Sequence, residues 1–247
     1  MRNEARLVLA LALCGLVQPA GAQSFAEVDE VVQQGIRRGI YPAAVVVIGR
    51  RDTILYARGY GRFTWSPRSQ VPNPDSTYWD IASITKVMGT TSAVMRLVDA
   101  GRIQLDAPVR RYLPRFSGGT KDRVTVRMLL DHTSGLRSYA PFFQRARTRA
   151  AAIELLYSER LTRPPGEAPV YSDLNAILLG LVVESAASMP LDSFVEREVF
   201  APLELHQTTY RLRPALRTRA VPSAVWRGQP VQGFVNDPNA ALLGGAA

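Results

Sequence analysis

Asp80-Ile81-Ala82-Ser83-Ile84-Thr85-Lys86 is the stretch on which the fold of this chain turns. Beyond it Val87, Thr90, Val94 and Leu97 recur at helical spacing, which predicts a helix over residues 83–99, ended by Gly101. Residues three apart share a helix face, so the Ser83 hydroxyl and the Lys86 amine become neighbours. A serine at a helix N-terminus also sits at the positive end of the dipole, near free backbone N–H groups. Serine is a weak nucleophile until a base takes its proton, and a desolvated lysine one turn on is such a base or assists another. Taken alone, the S-x-x-K pattern also suits an N-capping serine and a surface lysine. Composition adds weight to Lys86: of 30 basic residues only Lys86 and Lys121 are lysine, the rest being arginine. Arginine effectively cannot give up its proton, whereas a desolvated lysine can.

Two further segments carry candidate chemistry. Tyr171-Ser172-Asp173 follows the break at Pro164-Pro165-Gly166 and precedes an apolar helix predicted over 174–188. A tyrosine held near an ammonium ionises more easily and serves as a general base. The alternative is a tyrosine packing its ring at a helix start, with Ser172 or Asp173 as the cap. Leu129-Leu130-Asp131-His132-Thr133-Ser134-Gly135-Leu136 reads as a structural turn around Thr133-Ser134-Gly135. A Ser-His-Asp triad would need His132 or His206, and no G-x-S-x-G elbow accompanies either. Two histidines so far apart in sequence do not make a metal site.

Outward from these segments the chain is mixed. A helix is predicted over 25–38, where Val28, Val31, Val32 and Ile36 share a face. The apolar run at 43–49 reads as a buried strand, and Arg51-Asp52 as a tight turn into a second strand over 53–57. Residues 66–75 form a Pro/Asn/Ser-rich loop, and helices are predicted over 148–157 and 191–199. The segment 231–247 reads as neither a helix end nor a polar tail.

Arg2, Arg6, the apolar run 7–17 and Ala20-Gly21-Ala22 form a secretory-signal pattern over residues 1–22. The domain then covers 23–247, with a helical subdomain over roughly 100–220. Cys14 is the only cysteine, which excludes a disulfide framework and a cysteine-based metal site. Together these point to a periplasmic or secreted protein without a stable membrane anchor. The net charge of +9 is spread along the chain with no long run or interleaved aromatic platform, so nucleic acid is not expected as a partner.

In order and approximate spacing, the Ser83–Lys86, Asp131–Gly135 and Tyr171–Asp173 segments resemble those of the serine β-lactamase and penicillin-binding-protein superfamily. Pro42-Ala43-Ala44-Val45-Val46-Val47, Asp106-Ala107-Pro108-Val109 and Pro202-Leu203 share the likeness, which is nearest to class C β-lactamase-like serine hydrolases. The resemblance implies an α+β fold: an antiparallel sheet flanked by helices, plus a helical domain, with the active site between them. It implies Ser83 as acylated nucleophile, Lys86 as its proton-handling partner and Tyr171 as general base, with the Ser83 N–H in an oxyanion hole. No cofactor or metal is implied. The expected partner is a small-molecule or peptide substrate carrying an ester or amide, including a β-lactam.

Two departures from that pattern matter. Asp173 stands where asparagine is common, next to the acyl side chain of substrate, and its carboxylate would hold Lys86 protonated. No Lys-Thr-Gly or His-x-Gly follows Tyr171, so the resemblance implies a chain that lacks the later strands and is poorly stable by itself. Two functions are compatible with this: a secreted hydrolase acting through acyl-Ser83, or an inactive, non-catalytic envelope-binding remnant of the same fold.

Overall fold

The computed structural model describes residues 24–226 and 228–245, so the signal pattern over 1–22 lies outside the described residues. The chain divides into two compact units that part after Pro74. The first unit is helix α1 (Ala26–Arg37) followed by a hairpin of β1 (Ala43–Arg50) and β2 (Thr53–Gly61). The strands pair antiparallel from Ala43↔Gly61 to Arg50↔Thr53, with an irregularity between Ile48 and Gly49. β2 therefore runs four residues beyond the predicted end at Ala57. Tyr60 explains the extension: its ring is buried and its hydroxyl donates to Asp29 on α1 at 2.8 Å. Tyr56 and Arg58 reach the same oxygen at 2.6 Å and 2.7 Å, fastening the hairpin to the helix.

The second unit is mainly helical. A π-helical turn, Lys86–Thr91, runs into α2 (Ser92–Asp99), and Gly101 beyond it adopts φ 69°. After two short 3₁₀ segments come α3 (Val126–Leu130), α4 (Phe142–Arg145), α5 (Arg149–Ser158) and α6 (Asp173–Ala187). α7 (Leu191–Val195) gives way to a second π-helical turn, Glu196–Phe200, where the sequence pattern predicts one continuous α-helix. Gly89, in the first π turn, faces Tyr210. A Cβ there would come within 2.0 Å of the Tyr210 hydroxyl, so only glycine lets that ring seat against the helix.

α6 is the axis of the core. Every residue from Leu174 to Val183 is buried, so the helix lacks a polar face, as a helix surrounded by protein must. α2, α3 and α7 pack around it, and Phe116, Leu129, Leu156 and Leu178 are fully enclosed. Burying each such leucine contributes about 1.5–3 kcal/mol. Among the described residues no single helix is long and apolar enough to cross a membrane.

The C-terminal segment corrects its sequence reading. β3 (Ala224–Trp226) pairs antiparallel with β4 (Gln229–Val231), and α8 (Pro238–Leu243) follows. Asp237 caps α8 by accepting from the N–H groups of Asn239 at 2.6 Å and Ala240 at 2.9 Å, with proline at the first helical position. Gly244 closes the helix in the left-handed conformation. The antiparallel sheet expected from the sequence thus takes the form of two separate two-stranded hairpins among the described residues.

Candidate active site

Ser83 lies where the chain turns into the first helix of the second unit. Asp80 shapes that turn: one of its oxygens accepts from the Ala82 N–H at 2.8 Å, the other from the Asn236 N–H at 3.2 Å. Ala82 is held at φ 45°, a costly region for a residue with a Cβ. The N–H groups of Ile84, Thr85 and Lys86 then donate to the carbonyls of Ile81, Ala82 and Ser83, a tight first turn that leaves the Ser83 side chain exposed. Sequence reasoning missed Asp80; an aspartate two residues before a tight turn is the signal that marks it.

Lys86 is the centre of the arrangement. It is 8% exposed, and its ammonium lies 2.8 Å from Ser83 Oγ and 2.8 Å from Asp173 Oδ1. The contact with Asp173 is an ion pair without hydrogen-bond alignment, so Oδ1 is close to a charge yet lacks a well-directed donor. The Tyr171 ring centroid is 5.0 Å from the same ammonium, within cation–π range, and Tyr171 itself is 53% exposed. The structure therefore brings Ser83, Lys86, Tyr171 and Asp173 into one cluster. Ser172, between the last two, is fully buried and donates its hydroxyl to the Arg137 carbonyl at 2.7 Å, so it anchors the turn rather than capping α6.

His132 belongs to this cluster as well. Its Nδ1 accepts from the Ser172 N–H at 3.2 Å and lies 3.1 Å from Asn175 Nδ2. Its ring centroid is 5.0 Å from that of Tyr171, and its backbone sits at φ 62°. Burial, reinforced by the nearby Lys86 charge, holds its imidazole below the ordinary value of 6.5; Asp131 and Asp173 oppose this. The segment beyond it turns as the sequence predicts. Gly135 is at φ 83°, and a Cβ there would fall 2.3 Å from the Arg163 carbonyl oxygen, so the turn requires glycine.

Other polar features lie apart. His206 is exposed, and among the described residues no group of three or more His, Cys, Asp or Glu side chains is placed to hold a metal ion. A cavity of about 450 Å³ is lined by Arg149, Glu184, Met189, Asp192, Arg211 and Leu242, sharing no residue with the Ser83 cluster. Its charges pair within the wall, Arg149 with Glu184 at 2.6 Å and Arg211 with Asp192 at 2.9 Å.

Comparison with known proteins identifies the family and the fold. The chain is 30% identical over 232 residues to an N-acetylmuramyl-L-alanine amidase of Bacillus subtilis (strain 168), covering 86% of this chain and 52% of the relative. It is 26% identical to an Escherichia coli (strain K12) protein named "Putative D-alanyl-D-alanine carboxypeptidase", covering 86% and 53%. The chain thus spans about half the length of the curated relatives it matches. A solved class C β-lactamase mutant superposes with a TM-score of 0.72 at 22% identity, covering 90% of this chain and 59% of that one, which shows the β-lactamase/transpeptidase fold. The Beta-lactamase family model matches residues 28–246, and the chain belongs to that family.

Proposed function

We propose that the chain carries the nucleophilic centre of a serine hydrolase that cleaves amide bonds of the D-alanyl-D-alanine kind through an acyl-Ser83 intermediate. The observation that supports it most is the placement of the Lys86 ammonium 2.8 Å from both Ser83 Oγ and Asp173 Oδ1. A surface lysine would be solvated and mobile; this one is buried, fixed by a carboxylate and aimed at a serine hydroxyl.

The proton inventory follows from that pairing. An ammonium has donors and no acceptor, so Lys86 beside Asp173 orients Ser83 Oγ instead of deprotonating it. Tyr171, acting as its phenolate, then accepts the Ser83 proton and becomes the phenol as Oγ adds to the substrate carbonyl. The tetrahedral intermediate collapses, the C–N bond breaks, and the proton passes to the leaving amine. Water attacks the ester so formed, gives its proton to the same base, and releases the carboxylic acid while Ser83 recovers its hydrogen. Asp173, about a quarter exposed, pairs with Lys86 beside this path, and on this reading the acyl side chain of the substrate lies next to it.

The names of the amidase and carboxypeptidase relatives support an amide substrate over an ester or a β-lactam. The leader pattern over residues 1–22 supports a periplasmic or secreted location. The test is release of D-alanine from an N-acylated peptide ending in D-Ala-D-Ala, with Ser83→Ala as control. Release by the wild type alone is the expected result. A covalent serine adduct without D-alanine release would retain the nucleophile and overturn the substrate. Equal release by both proteins would overturn the mechanism.

A further inference from the structure

His132 is not part of the proton path just described, yet it touches every element of the Tyr171 turn. Its carbonyl accepts from the Val170 N–H at 2.9 Å, and its Nδ1 accepts from the Ser172 N–H. Behind it, the Leu136 N–H donates to Ser134 Oγ at 3.1 Å, and the Ser134 hydroxyl donates to Asn175 Oδ1 at 2.6 Å. Asn175 therefore turns its NH₂ toward His132. Two donors converge on Nδ1, so that nitrogen carries a lone pair and the proton resides on Nε2. A proton on Nδ1 would face both donors at once. Ser172 and Asn175 are each fully buried, and water could not take over the lost bonds. Rotating the Asn175 amide would not help, because the Ser172 N–H is fixed by the backbone and Ser134 would lose its acceptor.

On the acyl-serine reading, we propose that neutral His132 is a positioning residue that holds the Tyr171–Asp173 turn against Lys86. Protonation of its ring releases the turn and stops acylation of Ser83. The groups facing the ring are Lys86 from the π-helical turn, Asp131 from its own segment, and Tyr171 and Asp173 from the start of α6. Burial and the Lys86 charge both favour the neutral ring, so the turn stays intact at neutral pH and is lost only as pH falls below 6.5.

The chain has two histidines, so ring ¹⁵N resonances can be assigned with one variant, His206→Gln. The expected spectrum shows His132 as the Nε2–H tautomer, titrating below 6.5, with the acid limb of fluorophosphonate labelling at Ser83 following the same midpoint. His132→Asn keeps an acceptor oxygen near the Nδ1 position and tolerates positive φ. It should label at pH 8 within a few-fold of wild type and lack that acid limb. His132→Gly keeps the backbone and removes the acceptor shared by Ser172 and Asn175, and should label tenfold to a hundredfold more slowly, the size of leaving a buried donor unsatisfied. An Nδ1–H tautomer would overturn the proposal, as would an unchanged acid limb in His132→Asn. Absence of any wild-type adduct would instead overturn the acyl-serine reading and leave the tautomer result to stand or fall separately.

Discussion

Asp29 in the first unit and Asp173 in the second each lie beside a cation and a tyrosine, and the two are used differently. Asp29 receives two phenol hydroxyls and an arginine N–H on one oxygen, all between 2.6 and 2.8 Å. Its hydrogen-bonding capacity is directed into the hairpin, which makes it a fastener. Asp173 holds a lysine whose approach is unaligned, and that lysine also reaches a serine hydroxyl. The ammonium is shared between a carboxylate that fixes it and a serine oxygen that is free to bond to a substrate carbonyl. A saturated network stabilises one conformation; a network with an unsatisfied member is available for chemistry.

This contrast predicts effects of graded size. Ser83→Ala should abolish covalent labelling and lower turnover by on the order of 10⁶-fold, as loss of a nucleophile does elsewhere. Because Ser83 is exposed, stability should change by only about 0.5 kcal/mol, read from urea unfolding. Leu178→Ala should do the opposite, destabilising by about 2–5 kcal/mol through a cavity in α6. Asp173→Asn leaves the Lys86 ammonium buried without a counter-charge. It should cost about 1–3 kcal/mol, less than a fully enclosed pair because Asp173 is partly exposed, and should slow labelling about tenfold or more.

Asp29→Asn gives the smallest catalytic effect and tests the fastener reading. Amide exchange in β1 and β2 should rise, while the Ser83 labelling rate stays within about twofold, as expected for a carboxylate whose hydrogen-bond partners Tyr56, Arg58 and Tyr60 belong to the hairpin. Hydrogen bonds from Tyr56 and Tyr60, with Arg58 adding to them, hold the Asp29 carboxyl below the ordinary 3.8. Its contribution to stability is therefore complete above 3.8 and is lost as pH falls through the lower folded value. An Asp29→Asn variant should lose that acid sensitivity. If its labelling also fell tenfold, the division between fastener and reactive centre would fail.

Much of this was legible in the sequence where a local rule applied. The i, i+3 spacing of Ser83 and Lys86 predicts their contact, and the apolar character of α6, broken between Leu174 and Val183 only by Asn175, fits its burial. Asp173 is identified through the resemblance, as a carboxylate where asparagine is common, and its ion pair with Lys86 is an expectation of that resemblance rather than of a local rule. The missed features depend on long-range partners. His132 reads as part of a turn, and nothing local reveals that Ser172 and Asn175, some 40 residues on, point their donors at it. The close approach of Tyr210 to Gly89 inside the Lys86–Thr91 turn joins residues far apart in the chain. α8 was available to a local reading: Asp237-Pro238-Asn239 is a cap followed by a first-turn proline, and Gly244 ends it.

The central claim is that Ser83 is an activated nucleophile, and intact mass of the protein from its native source tests it most directly. Treated with a fluorophosphonate at neutral pH, the wild type should gain one adduct that maps to Ser83, and Ser83→Ala should gain none. A wild type that gains no adduct, or gains it at another serine, would contradict the account.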